Sequence, residues 1–472
     1  MNPEFSTKWS KDDIIRDDGD IGKLSIKGNA ITFHIDGYGD VFARNFVGYD
    51  NNGMHYFKVY TYGRSNADKT GYFYRVSKVF LYNGDYTEFT GDFITGIKSF
   101  SFEIPGLSNW LDIKSVDFGF LEDRSLIIHE VPTPTIVLKR TDPYIYIEYE
   151  VKDVLEIYDN NQRAIKKIPR IYVVFPDSVD DRKVVDTITI ITRFFSLLVG
   201  RMSIAEDIRL DLEGKDMKMW LFLNMDFSVH DSWNAYWMRS RYKFEEVNEF
   251  LLQWFEKWYS FSCNEPYEIL QEAYFHICGK KTFYIEDMFL TYCRFIEGYD
   301  LRKSHDEEIS QELERDILFA LSEDNFIKTI SPYFIKASSR YRPKNAAQWI
   351  SAGFLGRIGL DSRIKRLDEE HFSFIEVNRE RICKGIGANK IYGKISKTRN
   401  YYAHYKADKT GILELGEMYN ALPHMEMLIL SVLMSEMGID TETRRNAFVY
   451  DEAFWMYATH LRPAAENSNK EL

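Results

Sequence analysis

The chain has 472 residues, of which 45% are hydrophobic, 28% charged and 16% aromatic, with a formal net charge of −12. That length is too great for one compact core and predicts two or three domains, while the acidic balance excludes a protein that coats nucleic acid over its whole surface. Four cysteines without close spacing exclude a disulfide framework and a CxxC-type zinc site, and no apolar run reaches the roughly 18–20 residues of a bilayer-spanning helix.

In chain order, the first half reads as β-structure. Leu24–Phe33, His55–Tyr62, Gly71–Tyr82, Lys98–Ile104, Ser125–Val131 and Tyr144–Val151 are short runs rich in β-branched and aromatic residues. Turn signals such as Asn83-Gly84-Asp85, Pro105-Gly106 and Asp142-Pro143 separate them. Many strands at this spacing favour a sandwich or a barrel. Asp181–Val199 reads as a helix and Met217–Met225 as one more strand.

After about residue 240 the period changes to that of helices. Phe244, Val247, Leu251, Trp254, Trp258 and Phe261 mark one amphipathic helix. Tyr267–Cys278, Ile285–Glu297, Glu307–Ser322, Asn345–Ile358 and Asp361–Lys384 follow, the last broken by Gly385-Ile386-Gly387. A short helix is expected over Ser396–Tyr405. The last, Ile412–Met437, is expected to bend at Pro423 and to end at Gly438. The fold class is therefore α+β, a sandwich- or barrel-like β-rich region followed by an all-α bundle. The expected boundaries are a flexible start at 1–20, a β-rich domain at 21–230, a helical connector at 231–305, a helical domain at 306–465 and a loose tail at 466–472. The start, Met1–Phe5, lacks the basic and apolar regions of a signal peptide, so a cytoplasmic location is expected.

Charge is uneven. Residues 340–406 hold 15 Lys and Arg against 6 Asp and Glu, a local +9 inside an acidic chain. A basic island of this kind suggests a confined polyanion site, or else a solvated helix face. Arg-x4-His occurs three times, at Arg124/His129, Arg366/His371 and Arg399/His404. The first lies in an apolar β-type run and the second encloses Asp368-Glu369-Glu370, whose charge repels phosphate. Arg399/His404 has Lys390, Lys394, Lys397 and Lys406 around it, and Gly393 and Ser396 place it near an expected helix start, where backbone N–H groups favour anions. Asn400 and His404 are four residues apart and share a helical face. Arginine holds phosphate and histidine moves protons near neutrality, together a minimal set for cleaving RNA without a metal. A structural histidine fits the same pattern.

Thr398-Arg399-Asn400-Tyr401-Tyr402-Ala403-His404-Tyr405 resembles the signature of the HEPN superfamily, and with a large β-rich region before it the chain is similar to the ApeA-type HEPN proteins of bacterial antiphage defence. The resemblance implies a HEPN-type helical bundle and a metal-independent endoribonuclease that needs no cofactor. In that reading Arg399 grips the scissile phosphate, His404 serves as general base or acid, and Asn400 orients His404 or donates to phosphate. Lys394, Lys397, Tyr402 and Lys406 are the expected RNA contacts, with Tyr401 and Tyr405 as further stacking candidates, although aromatics on a helix are more often core. The resemblance further implies cellular RNA, tRNA above all, as substrate, cleavage to a 2′,3′-cyclic phosphate in abortive infection, and a phage-derived trigger at the N-terminal domain. One histidine falls short of an acid–base pair, and the resemblance implies that two motifs pair across a dimer, so a homodimer or higher homo-oligomer with facing His404 residues is expected. The alternatives are a non-catalytic HEPN-like RNA- or protein-binding module and a nucleotide- or protein-modifying transferase. Against the transferase, the sequence has no P-loop and no convincing GxGxxG. Glu297, on an apolar helix, reads as a capping or surface residue, with support of the C-terminal site as the alternative.

Overall fold

The computed structural model describes residues 4–11, 20–27, 30–36, 45–49, 55–67, 71–83, 94–112, 116–120, 126–130, 132–155, 163–215, 218–224, 240–278, 284–303, 315, 319, 359–404, 409–451 and 453–462. They divide into two compact units, the first ending at Ser260 and the second starting at Phe261, within the helix Leu251–Ser262.

The first unit is antiparallel β-structure. Strands β1 (Glu4–Lys11), β2 (Asp20–Lys27), β3 (Ala30–Asp36), β4 (Asn45–Tyr49), β5 (Tyr56–Ala67) and β6 (Gly71–Tyr82) pair in the order β6-β3-β2-β1-β4-β5 and return to β6, closing a barrel. Alternation drives this closure: β3 reads exposed–buried along its length, and its buried Ile31, Phe33 and Ile35 point inward. Trp9, Leu24, Ile26, Phe46, Phe57, Val59 and Tyr74 join them in one core. Trp9 fills the centre, edge-on to Phe33 at 4.7 Å. The run Leu24–Phe33, expected as one strand, is instead the paired hairpin β2–β3, with Gly28-Asn29 between the strands.

One edge of β6 serves two partners. Its start pairs with β3 and its end with β14 (Met219–Leu223). Asn224 sits at this fork, where its side-chain nitrogen donates to Val76 O at 2.8 Å and its carbonyl accepts from Ile31 N at 3.3 Å. From β14 the sheet continues through β13 (Glu206–Leu212), β7 (Ile97–Glu103), β12 (Arg163–Val179), β11 (Tyr144–Leu155) and β10 (Ile136–Lys139). A separate hairpin pairs β8 (Val116–Phe120) with β9 (Leu126–Glu130). Helix Asp181–Val199, capped by the Asp180 carboxylate and closed by Gly200 at φ 82°, buries Phe194 and Phe195 against Phe255 and Trp110.

The second unit is helical. Its described helices are Glu265–Cys278, Ile285–Lys303, Leu360–Glu370, Phe374–Val377, Arg379–Ile382, Lys390–His404, Leu415–Glu436 and Thr441–Tyr450. The expected helices Glu307–Ser322 and Asn345–Ile358 lie outside the described residues. Leu415–Glu436 is the central element, burying Met425, Leu428, Ile429, Val432 and Leu433, and it runs through Pro423 without ending. Gly438 at φ 78° closes it as expected. Tyr299 and Lys303, from Ile285–Lys303, both hydrogen-bond Glu436, Lys303 at 2.8 Å.

Asp361–Lys384 is not one helix. Its break comes at Phe372 (φ 73°) and Ser373 (φ 54°), and the Asp368 carboxylate holds the restart by accepting the N–H groups of Ile375 at 3.0 Å and Glu376 at 3.0 Å. Tyr392 donates its hydroxyl proton to the same carboxylate at 2.8 Å, so this turn anchors the Lys390–His404 helix. Burial pushes the Asp368 carboxyl up to about 6 against the pull of those donors. Among the described residues, no helix is long and apolar enough to cross a membrane.

Candidate functional site

Arg399, Asn400 and His404 lie on the single helix Lys390–His404. Its core side is Ile391, Tyr392, Ile395 and Thr398, a three-to-four spacing that turns the intervening polar residues outward. Thr398 is a structural pin: its hydroxyl donates to Lys394 O at 2.7 Å and accepts Leu413 N–H at 2.7 Å. The helix starts at Lys390, not near Ser396, so Gly393 and Ser396 are interior residues. The anion-binding helix start expected at the motif is therefore displaced by more than two turns, and phosphate affinity there rests on side chains.

Arg399 is only partly exposed, at 18%. Its Nη1–H donates to Asn400 Oδ1 at 2.8 Å, and its Nη2 ion-pairs with Glu297 Oε2 from helix Ile285–Lys303. A guanidinium carries five N–H donors, so this arrangement fixes its plane and leaves donors for a phosphate. Asn400 spends its carbonyl on Arg399, which leaves its amide nitrogen to donate. His404, one turn beyond Asn400, is exposed. Cys293, four residues before Glu297, is buried; burial raises its thiol while Arg399 nearby pulls it down.

Lys394 is engaged elsewhere: its Nζ donates to Glu417 Oε2 at 2.8 Å and approaches Cys383 Sγ at 3.1 Å. Lys397 is exposed. Tyr402 is half-buried, its ring edge-on to Tyr401 at 5.0 Å, and burial followed by the Glu286 charge raises its hydroxyl pKa. Lys409 Nζ lies 5.8 Å from the Tyr401 ring centre. Lys406 and Tyr405 lie outside the described residues. Among those described, no group of three or more His, Cys, Asp and Glu is placed to hold a metal ion.

The other Arg-x4-His pairs separate from this one. Arg366 reaches Asp300 Oδ1 at 2.8 Å through Nε, beside Arg363, whose Nη1 meets Oδ2 at 2.8 Å. His371 is buried, its Nδ1 3.0 Å from Arg444 Nη1 and 3.1 Å from Ser431 Oγ. Burial and the Arg444 charge hold it down to about 3, so it is a neutral core histidine. Arg124 lies outside the described residues. Glu297, read from sequence as a capping or surface residue, is the partner of Arg399. Its signal was present: Glu297 follows buried Cys293 by four residues, placing the acid on a core-facing side of an apolar helix.

A family model described as Apea-like HEPN matches residues 290–443, and one for ApeA N-terminal domain 1 matches residues 29–258. The chain belongs to the ApeA-like HEPN family. That places it among HEPN-family proteins of antiphage defence. In this ApeA-like protein the HEPN match contains Glu297, Arg399, Asn400 and His404 together, and the N-terminal match spans most of the barrel and its sheet extension. No curated protein and no solved structure matches the chain.

Proposed function

We propose that this ApeA-like HEPN protein is a metal-independent endoribonuclease that cleaves cellular RNA, tRNA above all, in abortive antiphage defence. The observation that carries the reading is the joined Arg399–Asn400 pair, held by Glu297, one turn from an exposed His404 inside the HEPN match. Arg399 grips the scissile phosphate and balances the charge that builds on its oxygens. Asn400 donates to a phosphate oxygen or to the His404 ring. His404 moves a proton during attack by the ribose 2′-oxygen, which confines cleavage to RNA. Lys397 and Tyr402 contact the adjoining backbone and base. The β-rich unit restrains the nuclease until a phage-derived trigger arrives, since an unrestrained ribonuclease harms its host.

The test is incubation of the full chain with total bacterial tRNA in excess EDTA, beside Arg399→Ala and His404→Ala. Discrete fragments ending in a 2′,3′-cyclic phosphate from the parent alone support the reading. Cleavage that survives either substitution, or that EDTA abolishes, refutes it. An RNA-binding module without catalysis would retain tRNA and leave it intact.

A further inference from the structure

Strands β11, β12, β7 and β13 give their part of the sheet two faces of opposite character. One buries Ile145, Ile147, Ile171, Val173, Phe100 and Leu210, each no more than 1% exposed. Register sets what the other carries. Tyr146 pairs with Tyr172, Tyr172 with Ser101 and Ser101 with Arg209, so four strands contribute one row. The next row runs Tyr144, Val174, Ser99 and Asp211. Three tyrosines stack at one side of this face: Tyr144 lies 5.1 Å from Tyr146, and Tyr146 lies 5.3 Å from Tyr172 with the rings 12° apart.

Acids surround these rings and are held in place. Arg170, with no exposed side-chain surface, ion-pairs with Glu103, Glu150 and Asp207. Glu150 also accepts the Tyr172 hydroxyl at 2.7 Å and Arg209 Nη1 at 3.1 Å. Asp211 accepts from Ser99 at 2.8 Å, and Glu148 is exposed beside Tyr146. Five carboxylates therefore face two guanidiniums, a local balance of −3. After burial, the Glu148 charge raises the Tyr146 hydroxyl.

We infer that this face docks an extended, arginine-bearing segment of a partner protein. The inference stands on the β-rich unit alone and needs no ribonuclease activity, so either reading can fail without the other. Charge selects the occupant, because fixed carboxylates repel phosphate and so disfavour nucleic acid despite the stacked rings. Tyr146 and Glu148 stand two apart on β11, about 6.8 Å along the strand, and point the same way. A guanidinium lying flat on the Tyr146 ring turns its edge toward that carboxylate, which joins a cation–π contact to a charge-assisted hydrogen bond. An extended segment repeats its side chains at the same spacing, so alternate residues meet successive groups of the face.

The test is fluorescence anisotropy of labelled octapeptides with the full chain. The probes alternate Thr with Arg, Lys or Glu, beside a short oligouridylate. The Arg peptide is expected to bind, the Lys peptide to bind more weakly, and the Glu peptide and the oligouridylate not to bind. Tyr146→Ala weakens the Arg peptide about two- to five-fold and Tyr146→Phe, which keeps the ring, leaves it unchanged. Glu148→Gln with Asp211→Asn weakens it about three-fold or more. Both carboxylates are exposed, so this pair decides the matter should Tyr146→Ala unfold. Glu245→Gln with Glu246→Gln makes the same charge change at side chains 77% and 58% exposed elsewhere in the unit and leaves binding as in the parent. Equal losses in the two carboxylate pairs mean that the peptide adsorbs to the acidic chain at large, which overturns the site. Unchanged binding by a folded Tyr146→Ala, equal affinity for the Lys peptide, or an oligouridylate that competes with the Arg peptide overturns it too. Self-association of the parent that Glu148→Gln with Asp211→Asn abolishes assigns the face to a second copy and refutes the partner.

Discussion

Acid should destabilise the helical unit through two histidines that the fold keeps neutral. His371 and His424 are 3% and 1% exposed, and burial holds each down to about 3 from the ordinary histidine value of 6.5. Beside His371, Arg444 lowers it further; beside His424, Arg381 and His460 do. A group whose folded pKa is depressed contributes stability above its unfolded pKa and loses it as pH falls. Between about pH 7 and pH 4.5 each histidine therefore costs about 2.5 kcal/mol. Asp368 works in the opposite sense. Its carboxyl is raised to about 6, so its contribution is fully present at low pH and lost as pH rises; over the same interval acid returns about 2 kcal/mol. The net loss is about 3 kcal/mol, a large share of a typical domain stability of about 5–15 kcal/mol. Urea unfolding at the two pH values, followed by fluorescence, measures it. His424→Phe should keep the ring contact with Tyr457 at 5.2 Å and remove a buried Nδ1 that has no partner among the described residues. This variant should match or exceed the parent at neutral pH and lose about 2.5 kcal/mol less on acidification. Equal acid sensitivity in parent and variant, or a parent whose stability rises toward acid, would sink the account.

Lys397→Ala should weaken RNA affinity and lower the salt-dependence slope by about 1, whereas Lys394→Ala, whose ammonium is already on Glu417, should barely change either in a filter-binding titration. Asp300→Asn removes the buried carboxylate that Arg363 and Arg366 share and should cost about 1.5–3 kcal/mol by denaturant titration; a loss under about 0.5 would mean that the ion pair adds little. Gly48→Ala places a Cβ 2.7 Å from the Trp9 ring and should destabilise the barrel by about 1–3 kcal/mol, read as a lower denaturation midpoint with unchanged slope.

Local pattern made much of this fold legible. β-branched and aromatic content marked Gly71–Tyr82 at its full length, and Asp181–Val199 was read as a helix with both ends in place. The errors came where tertiary contacts override local preference. Nothing in Asp361–Lys384 forbids one continuous helix; a buried Asp368 carboxylate that needs donors breaks it, and the donors lie up to 24 residues away. Closure of the barrel is likewise invisible locally, because β5 and β3 flank opposite edges of β6. At the site, Arg399, Asn400 and His404 were legible since one helix carries them. The start of that helix was misread because Gly393 suggests a break that the packing of Ile391 and Ile395 overrides.

The basic island looks different once its partners are known. Asp300 neutralises part of the Arg363–Arg366 pair, Glu417 takes Lys394 and Glu297 takes Arg399, so three acids from outside the stretch offset its formal charge. Within it, Lys365 lies 3.7 Å from Glu369 and Arg379 lies 3.8 Å from Glu376. Paired charges contribute little beyond about 10 Å at moderate salt, so a linear count overstates the attraction felt by an approaching polyanion. Part of the excess serves to assemble the bundle, as the buried Arg363–Asp300 contact does. What distinguishes Arg399 from its basic neighbours is that its carboxylate partner remains accessible while its own helix also carries an exposed histidine. Arg363 has a carboxylate that is 3% exposed, and Arg444 has a histidine that is buried and neutral. Within the described residues of the helical unit, solvent access to all three groups at once, rather than the Arg-x4-His spacing, is what separates a candidate reaction centre from a structural ion pair.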